Sequence, residues 1–144
     1  MVSSDEYISN RAWLRDIVGG KNIVLRGVSA LEFLQLFVGY ASEKEVEVYS
    51  LDKIDCKNIK FSIVSSFEDI EYQKFGNVLC STVNQVVNDM LSDFDNTDEN
   101  ALAEAMIKYY FLHNKSFDGL SVKPQNKGQF EQMKEWAMAY YEVV

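Results

Sequence analysis

The sequence predicts an α+β fold: a small antiparallel sheet with N-terminal helices and a C-terminal three-helix segment. Three observations carry this. Short stretches of period-two alternation cluster between residues 45 and 81, stretches of helical spacing dominate from Thr82 onward, and nothing helix-like separates the candidate strands. At 144 residues the chain suits a single domain that buries a core without disulfide or metal staples. Within it, residues 1–22 read as a helical extension, 23–81 as a helix plus antiparallel strands, and 82–144 as the helical part.

The first helix is expected over Asn10–Val18, with Ser9 or Asn10 as N-cap. Ala12, Trp13, Ile17 and Val18 form its apolar side, and Gly19-Gly20 its stop. Asn22–Arg26 is a short apolar run of undetermined type. Ser29-x-x-Glu32 then matches a capping box, in which each side chain satisfies an orphan N–H of the first turn. Leu31, Leu34, Phe37 and Val38 follow at helical spacing, with Gly39 placed to end the helix.

Alternation begins at "EVEVYSL", where Glu45, Glu47 and Tyr49 point one way and Val46, Val48 and Ser50 the other. "NIKFSIV", Asn58 to Val64, repeats the pattern with Ile59, Phe61 and Ile63 on one face. "IEYQKFGNVLCS" gives one or two more strands, broken at Gly76-Asn77. Strands joined without an intervening helix imply antiparallel pairing. Thr82-x-x-Gln85 is a second capping box, leading a stripe of Val83, Val86, Val87, Met90 and Leu91. After the acidic connector "SDFDNTDEN", a helix from Asp98 to His113 carries Leu102, Ala105, Met106, Tyr109 and Leu112 on one face. The last helix runs from Lys127 to Glu142, with Phe130, Met133, Trp136, Ala137 and Tyr140 on its apolar side.

Charge narrows the function. Duplex binding draws on Lys and Arg neutralising phosphates. Here 14 basic residues face 22 acidic ones, the net charge is −8, and no arginine follows Arg26, so no direct nucleic-acid binding is expected. The acidic N-terminus is wrong for a secretion signal, and no apolar run approaches the roughly 18 residues of a membrane span. Cys56 and Cys80 lack metal-type spacing and read as reduced thiols of a cytoplasmic protein.

Candidate chemistry is sparse. The single histidine, His113, is expected at a helix C-terminus, where it meets the last carbonyls. No nucleophile is signposted as its partner. Asp93-x-Asp95-x-Thr97-Asp98 has the start of a calcium loop but lacks the glycine its sixth position needs. Asp98 and Glu99 read instead as first-turn acids of a helix. Neither a cofactor nor a metal is expected.

Gly27-Val28-Ser29 followed by Glu45-Val46-Glu47 is similar to the nucleotidyltransferases of abortive-infection toxins. There a Gly-Gly/Ser turn opens a helix and an Asp-x-Asp strand holds metal. Val28 puts a branched side chain where phosphates would approach backbone, and each glutamate adds a methylene. A divergent or degenerate nucleotidyltransferase using Glu45 and Glu47 with magnesium is therefore the second reading.

"LRGVSALEFLQLF", "GNVLCSTVNQVVNDML" and "ENALAEAMIKYYFLHNKSF" carry a broader resemblance, from Val24 onward. Their order and spacing resemble the antitoxin domain of the abortive-infection type IV toxin–antitoxin family (AbiEi-like). The resemblance implies a non-enzymatic antitoxin whose partner is a nucleotidyltransferase-type toxin. Residues 1–22 are too few for the winged helix that often precedes this domain. If contact with a toxin is direct, the expected surface is the acidic strand face (Glu43, Glu45, Glu47) and the acidic connector (Asp93, Asp95, Asp98). Tyr109, Tyr110, Phe111, Tyr140 and Tyr141 leave room for a homo-oligomer.

Overall fold

The computed structural model describes residues 4–38 (backbone alone through residue 9), 45–54 and 57–143. The chain runs α1 (Ser4–Val18), β1 (Ile23–Leu25), α2 (Gly27–Phe33), β2 (Val46–Ser50), β3 (Ile59–Ile63), β4 (Tyr72–Phe75) and β5 (Val78–Ser81). It continues through α3 (Val83–Ser92), α4 (Glu99–Leu112) and α5 (Lys127–Tyr140), with 3-10 turns at Phe94–Asn96 and Pro124–Asn126. The α+β organisation is the expected one.

The sheet is mixed rather than antiparallel. Its order is β3-β2-β1-β5-β4. The β1–β2 and β4–β5 pairs are antiparallel, whereas β2–β3 and β1–β5 are parallel. Among the described residues only the Gly76-Asn77 turn makes a hairpin, with Gly76 at φ 62°. No such dipeptide lies between Ser50 and Ile59, and that segment returns the chain to start β3 alongside β2. The undetermined run after Asn22 is the central strand β1, buried at all three positions. A strand enclosed this way shows no alternation to read. On β2 the expected alternation holds, with Val46, Val48 and Ser50 buried. At the edge strand β3, Ile59 is buried but Ile63 is 55% exposed.

Two helix boundaries and the apolar faces of the last two helices differ from expectation. Nothing between Ser4 and Val18 breaks a helix, so Ser9 and Asn10 lie inside α1 and do not cap it. Its buried side includes Leu14, while Ala12 faces solvent. α2 ends at Phe33, before Leu34. Gln35 takes a left-handed φ of 64°, and Leu36 N–H reaches back to Leu31 C=O (2.9 Å), a Schellman-like close. Gly39 lies outside the described residues. In the C-terminal helices, Leu112 is 70% exposed, Trp136 41% and Tyr140 65%, so these three leave the expected apolar faces. Trp136 and Tyr140 stack on each other, with ring centroids 5.3 Å apart.

α2 is the hub, packing against α1, α3, α4, β2 and β5. Phe33 and Leu31 are fully enclosed there, in a buried cluster that also takes in Leu14, Val78, Met106 and Ala137. A polar latch fixes the segment before α5. Asn88 donates to Ser121 C=O (2.8 Å) and accepts from Lys123 N–H (2.9 Å) and from Asn126 Nδ2 (3.1 Å). Buried amides persist when satisfied in this way.

Candidate functional site: an acidic cleft beside a closed turn

β1 ends at Leu25, with Arg26 alone between it and the start of α2, while β2 continues past it. The Glu47 N–H on β2 therefore loses its strand partner and donates to Ser29 Oγ (2.9 Å). Arg26 N–H donates to Glu47 C=O (3.0 Å), and Val28 N–H donates to Glu47 Oε2 (3.2 Å). The backbone and carboxylate of one residue thus close the 26–29 turn. Ser29 is not the N-cap; that position is Arg26, which makes no side-chain cap bond. The Glu47 carboxylate, reaching over from β2, does the capping. Gly27 permits this approach, because at φ 56° a Cβ would stand 3.0 Å from the Glu47 oxygens.

The charges around the turn are mutually engaged. Arg26 Nη1 lies 3.9 Å from Glu47 Oε1, and its guanidinium sits 4.8 Å from the centre of the Tyr49 ring. Tyr49 donates its hydroxyl to Asp89 Oδ2 on α3 (2.5 Å), and Gln85 Nε2 donates to Asp89 Oδ1 (2.9 Å). Burial works against the Arg26 charge, but Tyr49, Asp89 and Glu47 outweigh it and the pKa is raised. Burial and then the bond to Asp89 raise the Tyr49 pKa, holding it as a neutral donor.

This turn forms one wall of a cleft of about 510 Å³. Trp13 and Leu14 of α1 line it, as do Glu45, Val46, Lys60, Asp89 and Met90. The connector lines it too, through Asp93, Asn96, Thr97 and Asp98. The fold thereby joins two acidic segments that lie far apart in sequence. Of the expected contact residues, Glu45, Glu47, Asp93 and Asp98 all face the cleft, Asp95 is exposed but does not line it, and Glu43 lies outside the described residues. The sequence reading gave Trp13, Arg26, Lys60 and Asp89 no place in a functional surface. Asp89 had a readable signal, as the one charged residue of α3.

The connector is built for helix ends. Asp98 caps α4, its Oδ1 accepting from Ala101 N–H (3.0 Å). Asp93 closes α3 and accepts from Asn96 Nδ2 at its own Oδ1 (2.8 Å). No group of three or more His, Cys, Asp or Glu able to hold a metal occurs among the described residues. The sheet register sets Lys60 of β3 opposite Glu47. Lys60 lines the same cleft, and its positive charge opposes a divalent cation there.

Other reactive groups are placed structurally. His113 is the C-cap of α4, its Nδ1 2.8 Å from Tyr109 C=O and its ring stacked on Tyr109. Cys80 is fully buried, and burial pushes its thiol pKa up to about 12, which removes the thiolate. Cys56 lies outside the described residues. No helix among the described residues is long and apolar enough to cross a membrane. No family model, curated protein or solved structure matches the chain.

Proposed function

We propose that this chain is a non-enzymatic, antitoxin-like module of an abortive-infection type IV toxin–antitoxin pair. It counteracts a nucleotidyltransferase-type toxin in the cytoplasm by protein contact, using the acidic cleft and without binding nucleic acid directly. The family resemblance supplies the partner class. The observation that favours contact over catalysis is the closed turn. In the catalytic reading, Gly27, Ser29 and Glu47 must face a nucleotide and a metal. Here Ser29 and Glu47 bond to each other's segment, and the N–H of Val28 that would meet a phosphate is taken by a carboxylate.

The second reading, a divergent nucleotidyltransferase using Glu45 and Glu47 with magnesium, draws on the fact that both glutamates and Ser29 border one cavity. Lys60 and the engaged Glu47 carboxylate weigh against it.

Co-purification of the chain with the product of a neighbouring nucleotidyltransferase gene, where the genome carries one, over graded salt, tests the proposal. A complex that weakens as salt rises is expected, because exposed charge pairs are screened. Absence of a complex at every ionic strength removes direct contact. Labelled product from nucleoside triphosphate, magnesium and bulk tRNA that vanishes in Glu47→Gln would favour the second reading.

A further inference from the structure

We infer that β3 is a self-pairing edge, to which a second copy of this chain adds its own β3, antiparallel, about a two-fold axis at Phe61. The sheet order gives β3 a neighbour, β2, on one side and no strand on the other among the described residues. Its backbone alternates accordingly. Val46 N–H donates to Asn58 C=O (2.7 Å) and Val64 N–H to Ser50 C=O (2.9 Å). The parallel register between those two bonds turns the amides of Lys60, Ser62 and Val64 toward β2. The N–H and C=O groups of Ile59, Phe61 and Ile63 therefore point outward, and none of them makes a hydrogen bond among the described residues. Such a row is a template for another strand.

The side chains select a second copy as that strand. Ile59-Lys60-Phe61-Ser62-Ile63 runs apolar, polar, apolar, polar, apolar from either end. A two-fold axis perpendicular to the sheet reverses a strand and keeps its faces. Pairing about Phe61 thus sets Phe61 against Phe61, Ile59 against Ile63 and Lys60 against Ser62. The residues with outward backbone groups then form the hydrogen-bonded pairs, so main chain and side chains require the same register. Ile63, 55% exposed, comes to lie beside Ile59 of the second copy, which is buried in that copy's core. Phe61, already packed against the core, joins the two across the axis. Charge permits the approach: the chain carries a net −8, yet Lys57 to Ser66 holds no carboxylate, and no proline guards the edge. The opposite edge lacks this symmetry, because β4 centred on Gln73 or Lys74 sets Tyr72 against Lys74 or Gln73 against Phe75. Glu47 and Lys60 share one face of the sheet, so the joined sheet carries both clefts on the same side.

Sedimentation equilibrium over a wide concentration range, with amide hydrogen exchange on the same samples, tests the pairing. A monomer–dimer equilibrium is expected. The amides of Ile59, Phe61 and Ile63 gain protection as the dimer forms, whereas those of Lys60, Ser62 and Val64 are protected throughout. Ile63→Pro removes an outward N–H and no bond to β2, so it keeps the circular dichroism of the wild type and weakens association roughly tenfold or more. Ile63→Lys, which leaves the backbone intact, weakens it by a similar factor and decides alone if the proline variant does not fold. Leu112→Lys, at a 70% exposed side chain on α4, changes nothing. The inference is overturned by a monomer at every concentration up to millimolar, by growth past a dimer, by a dimer indifferent to Ile63→Lys, or by one that dissociates in Leu112→Lys.

Discussion

Two segments of this chain share one local motif and use it differently. Thr82-x-x-Gln85 opens α3 as expected, Thr82 Oγ1 accepting from Gln85 N–H (3.3 Å). Ser29-x-x-Glu32 does not open α2; its serine sits within the helix and bonds to β2. Even at Thr82 only half the box forms, since Gln85 Oε1 takes Glu71 N–H (2.8 Å) instead of reaching back. The difference lies in what stands opposite each helix start. At α2 a neighbouring strand delivers the Glu47 carboxylate to the orphan N–H, and the serine is released to complete the strand's own bonding. A capping motif states only that an acceptor is at hand, and tertiary structure decides whether it is used.

The contrast breaks most sharply at Glu47. Glu47→Ala leaves Val28 N–H without its acceptor and Arg26 without its nearest carboxylate, and is expected to cost about 1–3 kcal/mol in denaturant unfolding. Glu47→Gln, which keeps an acceptor oxygen, should cost clearly less. If the alanine variant unfolds like wild type, the turn is not held as described.

Ser29→Ala comes next, at about 1–2 kcal/mol, through the unpaired Glu47 N–H. Its effect should be non-additive with Glu47→Ala, since both act on one turn. Thr82→Ala, the ordinary cap, is expected to cost about 1 kcal/mol and to add independently to either. A double-mutant cycle showing equal coupling for Thr82 and Ser29 would erase the distinction between the two motifs.

The smallest effect sharpens the comparison at the far end of α2. There Val38 N–H donates to Glu104 Oε2 of α4 (3.1 Å), a second carboxylate meeting main chain from another element. Burial raises the Glu104 pKa, and the Val38 bond only partly offsets this. The folded state therefore holds this proton to higher pH than the unfolded one. Stability then falls as pH rises from the unfolded carboxylate value, about 4.3, through the folded pKa, and is level above it. Glu104→Gln should remove that loss, with its advantage over wild type appearing across this window in pH-dependent melting.

Legibility followed burial geometry. The alternation of β2 and the stripe of α3 were plain because each has one wet face. β1 was opaque because it has none, and the parallel β2–β3 pairing because its connection carries no turn signature. The acidic residues of the cleft were visible as two separate runs. Their meeting was not, since it depends on α3 and the connector folding back across β2. Trp13 looked like an ordinary core residue from its helical spacing. Its place on a cleft wall follows from α1 packing on α2.

The most direct test of the closed turn is a titration of isotope-labelled chain with a magnesium–nucleoside triphosphate, followed by backbone amide resonances. Because Glu47 already occupies the Val28 N–H and Ser29 is bound to β2, the resonances of Val28, Ser29 and Glu47 should stay in place at millimolar nucleotide. Saturable shifts centred on those three residues, and lost in Glu47→Gln, would contradict the account and make the turn a nucleotide site.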